Sequence, residues 1–268
     1  MKIIGVDERL AEKSGAKILI VGPSGVGKSS LLKTLLPDLL ATTLFVDIEA
    51  GHLAIADLPV AAIRPRTWEE CRDIACVLGG PNPALPPTAA YSTTHFEGVV
   101  ANADMARLAD FGILFVDSFT AVARISFANA EQQPEALNER GRKDLRGAYG
   151  LHARQMIGWL NQLQQARGRH VVMVAILEKV VDDFNRIEWQ PQIEGSKTAR
   201  ELPGIVDEIV TMQVLDFGDG VPARVFVCTN PNQWGWPAKD RSGRLRQIEE
   251  PHLGKLIEKL TARGKQNV

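Results

Sequence analysis

The stretch KILIV at residues 17–21 runs directly into GPSGVGKS at residues 22–29. The second stretch matches the pattern G-x-x-x-x-G-K-[ST] at every fixed position, and the composition of the chain predicts only roughly 0.007 such matches by chance. A strand-like apolar run precedes the motif, and a helix-like segment at residues 30–40, interrupted by Pro37, follows it. This context predicts a phosphate-binding loop between a strand and a helix.

The residues of this loop suit the phosphates of a nucleoside triphosphate. Gly25 and Gly27 allow the backbone to curl so that successive N–H groups face a phosphate, and a helix that starts near Lys28 adds its positive end. The Lys28 ammonium is expected to reach the β- and γ-phosphates, and the Ser29 hydroxyl to ligate Mg²⁺. The predicted nucleotide-binding residues are Gly22, Pro23, Ser24, Gly25, Val26, Gly27, Lys28, Ser29 and Ser30.

Strand-like and helix-like segments alternate along the rest of the chain. After residues 17–21, the predicted strands are 43–47, 60–64, 112–116, 171–177, 207–215 and 224–229, and the clearest helices are 67–78, 145–163 and 251–262. This alternation predicts an α/β fold, with a mainly parallel twisted sheet flanked by helices and joined by right-handed crossovers. We expect residues 1–268 to form one domain.

A proline-rich stretch interrupts this pattern at about residues 79–96. No charged residue occurs between Ile74 and Phe96, and the prolines there are Pro81, Pro83, Pro86 and Pro87. Prolines at this density exclude a continuous helix or a central strand. Because strands and helices resume afterwards, the stretch is interpreted as a surface insertion or lid rather than a linker between two domains.

The composition excludes several classes of protein. The chain has 268 residues, 45% hydrophobic and 24% charged, which is typical of a globular domain and not of a disordered chain. The longest clean apolar run, residues 171–177, is too short to span a membrane, and the charged residues at 7–9 argue against a signal peptide. We therefore expect a cytoplasmic protein with no membrane partner. The net charge of −1 does not by itself indicate a nucleic-acid-binding protein.

Two acidic residues follow predicted strands and are candidates for the chemistry of hydrolysis. Asp117 ends the run GILFV, so a parallel sheet places it at the carboxyl edge beside the loop, where it is predicted to join the Mg²⁺ shell. Glu49 lies two residues beyond the strand at 43–47 and is the best-placed carboxylate to orient an attacking water. Asp47 is the rival for that role, and a solvated loop acid is the alternative reading of Glu49.

The order of GPSGVGKS, LFVDIEAG, ILFVDS and VVMVAILEK resembles the RecA-like ATPase core. More narrowly, the chain resembles phage and prophage nucleotide-binding ATPases of the AAA_24 type, some of which are core-only RecA-like single-strand annealing proteins. The resemblance covers about residues 17–260. It implies ATP and Mg²⁺ as ligands, Glu49 as catalytic base, Asp117 at the metal, and self-association into a filament or ring.

The same resemblance assigns roles to three further residues. Glu178 falls at the position of the γ-phosphate sensor, where RecA has glutamine. Lys239 and Arg241, in the segment AKDR at 238–241, resemble the basic residues that reach the ATP of a neighbouring subunit. Solvated surface charge is the competing interpretation of this pair.

RecA-like cores present two loops to single-stranded DNA, and the resemblance places these loops after Asp117 and after Glu178. The first contains Arg140, Arg142, Lys143 and Arg146 against Asp144, a local balance of +3 (four minus one). The second contains Lys197 and Arg200, with Phe184 and Trp189 as candidates for base stacking, but has a local balance of −1. A solvated helix face explains the first cluster equally well, and aromatic residues often pin a hairpin to a core.

Three functions are compatible with this pattern. The first is a RecA-like ATPase that acts on single-stranded DNA in phage-type recombination or annealing. The second is a P-loop phosphotransferase that uses the proline-rich stretch as a substrate lid. The third is a nucleotide-switched assembly or loader protein that acts on another protein. The order of the motifs favours the first.

Overall fold

The computed structural model describes residues 3–12, 14–138, 140–181, 185–218 and 220–262. The strands are β1 (Lys17–Gly22), β2 (Thr43–Asp47), β3 (Ala61–Ile63), β4 (Ile113–Asp117), β5 (His170–Val181), β6 (Ile187–Pro191), β7 (Glu208–Leu215), β8 (Ala223–Val227), β9 (Lys239–Asp240) and β10 (Ile248–Glu249). The helices are α1 (Val6–Ala11), α2 (Pro37–Ala41), α3 (Trp68–Gly79), α4 (Thr93–Val100), α5 (Ala103–Ala106), α6 (Phe119–Ala130), α7 (Leu145–Gln164), α8 (Ser196–Ile205) and α9 (Leu253–Thr261). None of the described helices is long and apolar enough to cross a membrane.

The strands form one mixed sheet in the order β10-β8-β7-β1-β5-β4-β2-β3. The pairs from β7 through β1, β5, β4 and β2 to β3 are parallel, and β8, β9, β10 and β6 add antiparallel pairs at the margins. The predicted mainly parallel sheet is confirmed. The loop strand β1 is separated from β4 by β5, so the loop and Asp117 meet across one intervening strand.

Alternate residues of the central strands enter two cores on opposite faces of the sheet, because side chains along a strand point to opposite sides. Leu19, Leu114 and Val171 pack with α3, α6 and α7 on one face. Ile20 and Phe115 pack on the other face with the 3-10 helix at Ser29–Thr34 and with α9. Both faces are therefore covered, as a parallel sheet requires.

Local signals account for several helix boundaries. The predicted capping box at the start of α3 is present, with the Glu70 N–H donating to Thr67 Oγ1 at 3.2 Å and the Thr67 N–H donating to Glu70 Oε2 at 3.1 Å. After the loop, the predicted helix at 30–40 is split into a 3-10 helix at Ser29–Thr34 and the short α2, which begins at Pro37. Proline at the first helical position is well tolerated, which explains the split.

The proline-rich stretch is interpreted from the sequence as a surface insertion or a lid, and its position in the fold favours the surface insertion. Gln162, in the last turn of α7, donates from Nε2 to Gly80 O at 2.6 Å, and α7 ends at the edge where β5 begins. The segment at 80–92 therefore lies at the edge of the sheet opposite the phosphate-binding loop. It folds on itself, since the Asn82 N–H donates to Tyr91 O at 2.7 Å, and then leads into α4.

Strand β5 is longer than predicted and changes the surface near the site. The apolar run at 171–177 forms its buried part, but the strand continues to Val181 and pairs with β6 as an antiparallel hairpin. Polar residues such as Glu178 and Lys179 follow the buried part, and the apolar run alone gives no sign that the strand continues beyond it. Phe184, a predicted stacking residue, lies outside the described residues.

Candidate nucleotide-binding and hydrolysis site

The carboxyl ends of four parallel strands converge at one edge of the sheet. Gly22 at the end of β1 is level with Ile176 of β5, and Asp117 of β4 is level with Asp47 of β2. A cavity of about 280 Å³ opens at this edge. It is lined by Ser24, Gly25, Gly27, Lys28, Ser29, Ser30, Glu49, Ala54, Asp117, Ser118 and Ile176.

The phosphate-binding loop forms one wall of this cavity. Gly25 and Gly27 have φ values of +76° and +104°, which L side chains rarely adopt, so both glycines are required for the path of the backbone. Val26, between them, is buried in the core and anchors the loop. Gly22 approaches β7 so closely that an added Cβ would lie 2.5 Å from Met212 O. The curled backbone predicted from the motif is therefore present.

Lys28 directly follows Gly27 and precedes the 3-10 helix at Ser29–Thr34. Its ammonium donates to Gly22 O at 2.9 Å and to Pro23 O at 2.8 Å. Burial lowers the pKa of Lys28, while the nearby charges of Asp117 and Glu49 act in the opposite direction. Its two carbonyl partners and the two carboxylates across the cavity place the positive charge at the centre of the site.

Ser29 and Asp117 face each other as predicted for a metal shell. Both side chains line the cavity, Ser29 from the loop and Asp117 from the end of β4. Burial raises the pKa of Asp117, the neighbouring Ser29 side chain lowers it, and the nearby carboxylate of Glu49 raises it. These hard oxygen donors fit Mg²⁺, and two protein oxygens suffice because Mg²⁺ usually retains water and substrate phosphates as ligands. The residues present therefore fit Mg²⁺ together with a triphosphate.

Glu49 projects into the cavity from the turn after β2. The Ser118 hydroxyl donates to Glu49 Oε1 at 2.5 Å, and Ser118 is itself 3% exposed. Ser118 also caps α6, since its Oγ accepts the Ala121 N–H at 3.2 Å. The carboxylate is thus fixed to the first turn of α6, a contact that sequence spacing did not reveal because the two residues are 69 positions apart.

Asp47, the rival of Glu49, has a structural role. Its Oδ1 accepts the Gly51 N–H at 2.9 Å and its Oδ2 accepts Arg64 Nε at 3.2 Å. The side chain is 1% exposed and does not line the cavity. Asp47 shapes the turn that carries Glu49, so the geometry favours Glu49 as the residue that meets a water.

Three residues with roles assigned by resemblance lie outside this cavity. Glu178 is on the β5–β6 hairpin, where its Oε1 accepts Gln190 Nε2 at 3.0 Å, and Ile176 lines the cavity instead. Lys239 Nζ donates to Pro203 O at 2.5 Å and to Val206 O at 2.7 Å. Arg241 pairs with Asp207 Oδ1 at 2.7 Å. Both basic residues are beside the start of β7, at the edge opposite the loop, so neither completes the site of its own chain.

The predicted DNA-contact residues lie on exposed turns and helix starts. Arg140, Arg142 and Lys143 are exposed in the turn before α7, and Arg146 is exposed in its first turn. Lys197 is exposed in the first turn of α8, whereas Arg200 donates from Nη2 to Ser196 Oγ at 2.8 Å. None of these residues lines the nucleotide cavity.

A family comparison agrees with this geometry. The family AAA_24, described as an AAA domain, matches residues 14–242, a span that includes the loop, Glu49 and Asp117. The chain belongs to this family. The strand order and the position of the loop give this AAA_24 domain the RecA-like P-loop ATPase fold predicted from the sequence.

Several solved structures are similar to this AAA_24 domain. An ATPase of the type III secretion system of pathogenic bacteria is 16% identical with a TM-score of 0.39, over 75% of this chain and 51% of that chain. The AAA_24 domain thus spans about half the length of that protein. The RadB recombinase is 14% identical with a TM-score of 0.38, over 89% and 92% of the two chains. The flagellar accessory protein FlaH from Methanocaldococcus jannaschii is 10% identical with a TM-score of 0.36, over 91% and 88%. No curated protein matches the sequence.

Proposed function

We propose that this AAA_24 domain hydrolyses ATP with Mg²⁺ and that its partner is single-stranded DNA. The observation that carries the first part is the convergence of Lys28, Ser29, Glu49 and Asp117 on one cavity from three different segments of the chain. A cation, a metal-ligand pair and a second carboxylate are the parts that phosphoryl transfer to water requires.

Each residue then has a defined task. The backbone N–H groups of the loop and the Lys28 ammonium hold the phosphates, and Ser29 and Asp117 hold Mg²⁺. The metal supplies charge neutralisation at the β- and γ-phosphates. Glu49 accepts a hydrogen bond from a water and orients its oxygen toward the γ-phosphorus. The new P–O bond forms as the bond to the β–γ bridging oxygen breaks, and the released products are ADP and inorganic phosphate.

The support for single-stranded DNA comes from the surface between α7 and α8. A cavity of about 490 Å³ there is lined by Tyr149, Arg154, Glu194 and the start of α8, including Lys197. The hydroxyl of Thr198 in that first turn is buried without a hydrogen-bonding partner among the described residues. Exposed cations and the positive end of a ten-residue helix favour a phosphate backbone. Tyr149 stacks on Phe127 at 4.7 Å and offers an aromatic surface for a base.

The two alternatives are less well supported by the arrangement of the chain. The phosphotransferase hypothesis relied on a lid, and the proline-rich stretch lies at the opposite edge of the sheet. A nucleotide-switched assembly protein needs contacts between subunits, and so does a RecA-like filament, for which Lys239 and Arg241 are the candidates. Both residues are engaged within their own chain, so a role in trans requires exchange of the contacts with α8 and Asp207.

The direct test is ATP hydrolysis with and without single-stranded DNA, with Lys28→Ala as the blank. We expect Mg²⁺-dependent turnover that DNA stimulates, and none from Lys28→Ala. Turnover that is indifferent to DNA would retain the ATPase and remove DNA as its partner. Absence of turnover under every condition would remove the ATPase function itself.

A further inference from the structure

Arg224 approaches the phosphate-binding loop from outside the motif. It lies on β8, opposite Val214 of β7. Phe226, two residues further along, is fully buried in the core beneath the loop, and the alternation along a strand places Arg224 on the same face. A Cβ added to Gly27 would lie 3.5 Å from both Cζ and Nη1 of Arg224. The guanidinium therefore lies directly against the loop backbone.

The guanidinium of Arg224 is also available to a ligand. The side chain is exposed, and within the described parts of the chain it has no hydrogen-bond or ion-pair partner. Arg64, Arg72, Arg124 and Arg241, in contrast, each pair with a carboxylate. A guanidinium that rests on a backbone without a partner has three nitrogens free to donate.

The side chains that line the cavity carry more negative than positive charge, so a second cationic side chain would favour the binding of phosphates. Among the residues that the structure describes, Lys28 is the one positive side chain that lines the cavity, against the carboxylates of Glu49 and Asp117. The lining therefore carries a balance of −1 (one minus two) before Mg²⁺ and a polyanionic nucleotide enter. Gly27 belongs to the part of the loop whose N–H groups cradle the α- and β-phosphates. Arg224 lies beside this same residue, on the loop that would hold those phosphates.

We propose that Arg224 is a nucleotide-binding residue that contacts the α- or β-phosphate of bound ATP or ADP. The inference rests on the proposed nucleotide binding and adds a contact from β8 to those of the loop. An arginine suits this position because its planar fork donates two parallel hydrogen bonds to phosphate oxygens. Since the contact is to phosphates that ADP and ATP share, it strengthens the binding of both nucleotides equally.

The test measures equilibrium binding of ATP and ADP, with Mg²⁺, to the wild type and to Arg224→Ala, Arg224→Lys and Lys28→Ala. We expect Arg224→Ala to raise both dissociation constants by about 10-fold or more, as for removal of a charged hydrogen bond, and Arg224→Lys to fall in between. Arg167→Ala is the matched control, since Arg167 is exposed at the opposite edge of the sheet, and we expect it to bind like the wild type.

Thermal unfolding separates a ligand contact from a structural role. Without nucleotide, Arg224→Ala should unfold at the wild-type temperature, because no hydrogen bond or ion pair of the side chain within the described residues is removed. With nucleotide, the rise in the unfolding temperature of Arg224→Ala should be smaller than that of the wild type, because stabilisation by a ligand at a given concentration decreases as its dissociation constant increases. Unchanged ATP and ADP affinity in Arg224→Ala, with binding abolished in Lys28→Ala, would overturn the role of Arg224 alone. Failure of the wild type to bind either nucleotide would overturn the proposed function and this inference with it.

Discussion

At the scale of single residues, Ser118 connects the candidate base to the fold. Its hydroxyl donates to Glu49 while its oxygen caps α6, so one side chain fixes the carboxylate and starts a helix. Glu49 itself lies in a turn with Ala50 at a φ of +54°, and Asp47 holds the backbone of this turn through the Gly51 N–H. The bond from Ser118 is the side-chain contact that orients the carboxylate.

Replacing Ser118 by glycine tests this positioning role. Glycine retains most of the capping preference of serine but lacks the hydroxyl. We expect kcat for ATP hydrolysis to fall by about 10-fold, while the dissociation constant for ATP stays unchanged, because only orientation of the water is affected. Ser118→Thr, which keeps a hydroxyl, should restore most of the rate. Equal rates for Ser118→Gly and the wild type would show that Glu49 needs no such support.

Glu208 carries a second residue-scale prediction, at the edge opposite the loop. The side chain is 2% exposed and burial raises its pKa to about 8, with the charge of nearby Asp240 adding to the effect. An unfolded glutamate titrates near its ordinary value of 4.5, so the folded protein binds an extra proton between these pH values. Stability therefore falls as the pH rises through this window.

We expect the free energy of unfolding to decrease between about pH 6.5 and about pH 8 by up to about 1.4 kcal/mol per pH unit. Glu208→Gln mimics the neutral form and should remove most of this slope. Denaturant unfolding at several pH values measures it. This pH range lies above the one in which His152 and His170 titrate. Burial lowers the pKa of both residues to about 4, so they make stability rise with pH below about pH 6.5. A slope that persists in Glu208→Gln would contradict the assignment.

Among the elements, the strands of the parallel core follow from the sequence. The elements that do not are the helices α1, α4, α5, α6 and α8, the strands β6, β9 and β10, and the far end of β5. Apolar runs such as 112–116 and 171–177 predict the buried strands because those strands have core on both faces. Helix α6 was missed because seven of its twelve residues are buried, including Thr120 and Ser126, which gives no amphipathic period. Helix α8 was missed because it contains Pro203. Helix α7 was found, but Leu145 and Tyr149 are 54% and 44% exposed, since its first turn extends beyond the core.

Part of the candidate site could likewise be predicted from the sequence and part could not. The loop, Asp117 and Glu49 follow from short-range spacing, since each ends or follows a strand. The bond from Ser118, the pairing of Asp47 with Arg64 and the approach of Arg224 depend on residues that are far apart in sequence. Such contacts arise only from the strand order, which spacing along one chain does not specify.

Lys239 offers a prediction about an element, because its ammonium binds the last carbonyls of α8. The bonds to Pro203 O and Val206 O stabilise a helix end that faces β9. We expect Lys239→Met to lower the free energy of unfolding by about 1 kcal/mol, the usual value of such hydrogen bonds. Lys255→Met, on the exposed side of α9, is the matched control and should stay within about 0.5 kcal/mol of the wild type. A fall in ATP hydrolysis in Lys239→Met without any change in stability would instead favour the role in trans.

In the molecule as a whole, the helices α6 and α7 connect the candidate hydrolysis site to the proposed DNA surface. Glu49 is bound to the start of α6, α6 packs against α7, and α7 carries Arg146 and Arg154. Single-stranded DNA bound across α7 and α8 would therefore contact α7, which packs against the helix α6 that orients the Glu49 carboxylate. Stimulation of hydrolysis by DNA is expected from this arrangement.

The affinity for single-stranded DNA should depend on salt through these cations. Removing Arg154 and Lys197 together is expected to reduce the slope of log affinity against log salt concentration by about 0.7 for each phosphate that the protein no longer neutralises. Arg107→Ala with Lys255→Ala is the control pair, since both residues lie away from α7 and α8. A titration by fluorescence anisotropy at several salt concentrations gives the slope. An unchanged slope in Arg154→Ala with Lys197→Ala would place the DNA elsewhere.

We propose that one cavity binds ATP through Lys28 and activates water through Glu49. The most direct measurement is phosphate release beside ATP binding for the wild type, Glu49→Gln and the exposed control Glu97→Gln. We expect Glu49→Gln to bind ATP with wild-type affinity and to hydrolyse it at least about 100-fold more slowly, whereas Glu97→Gln should match the wild type in both. Hydrolysis by Glu49→Gln at the wild-type rate would show that Glu49 does not activate the water.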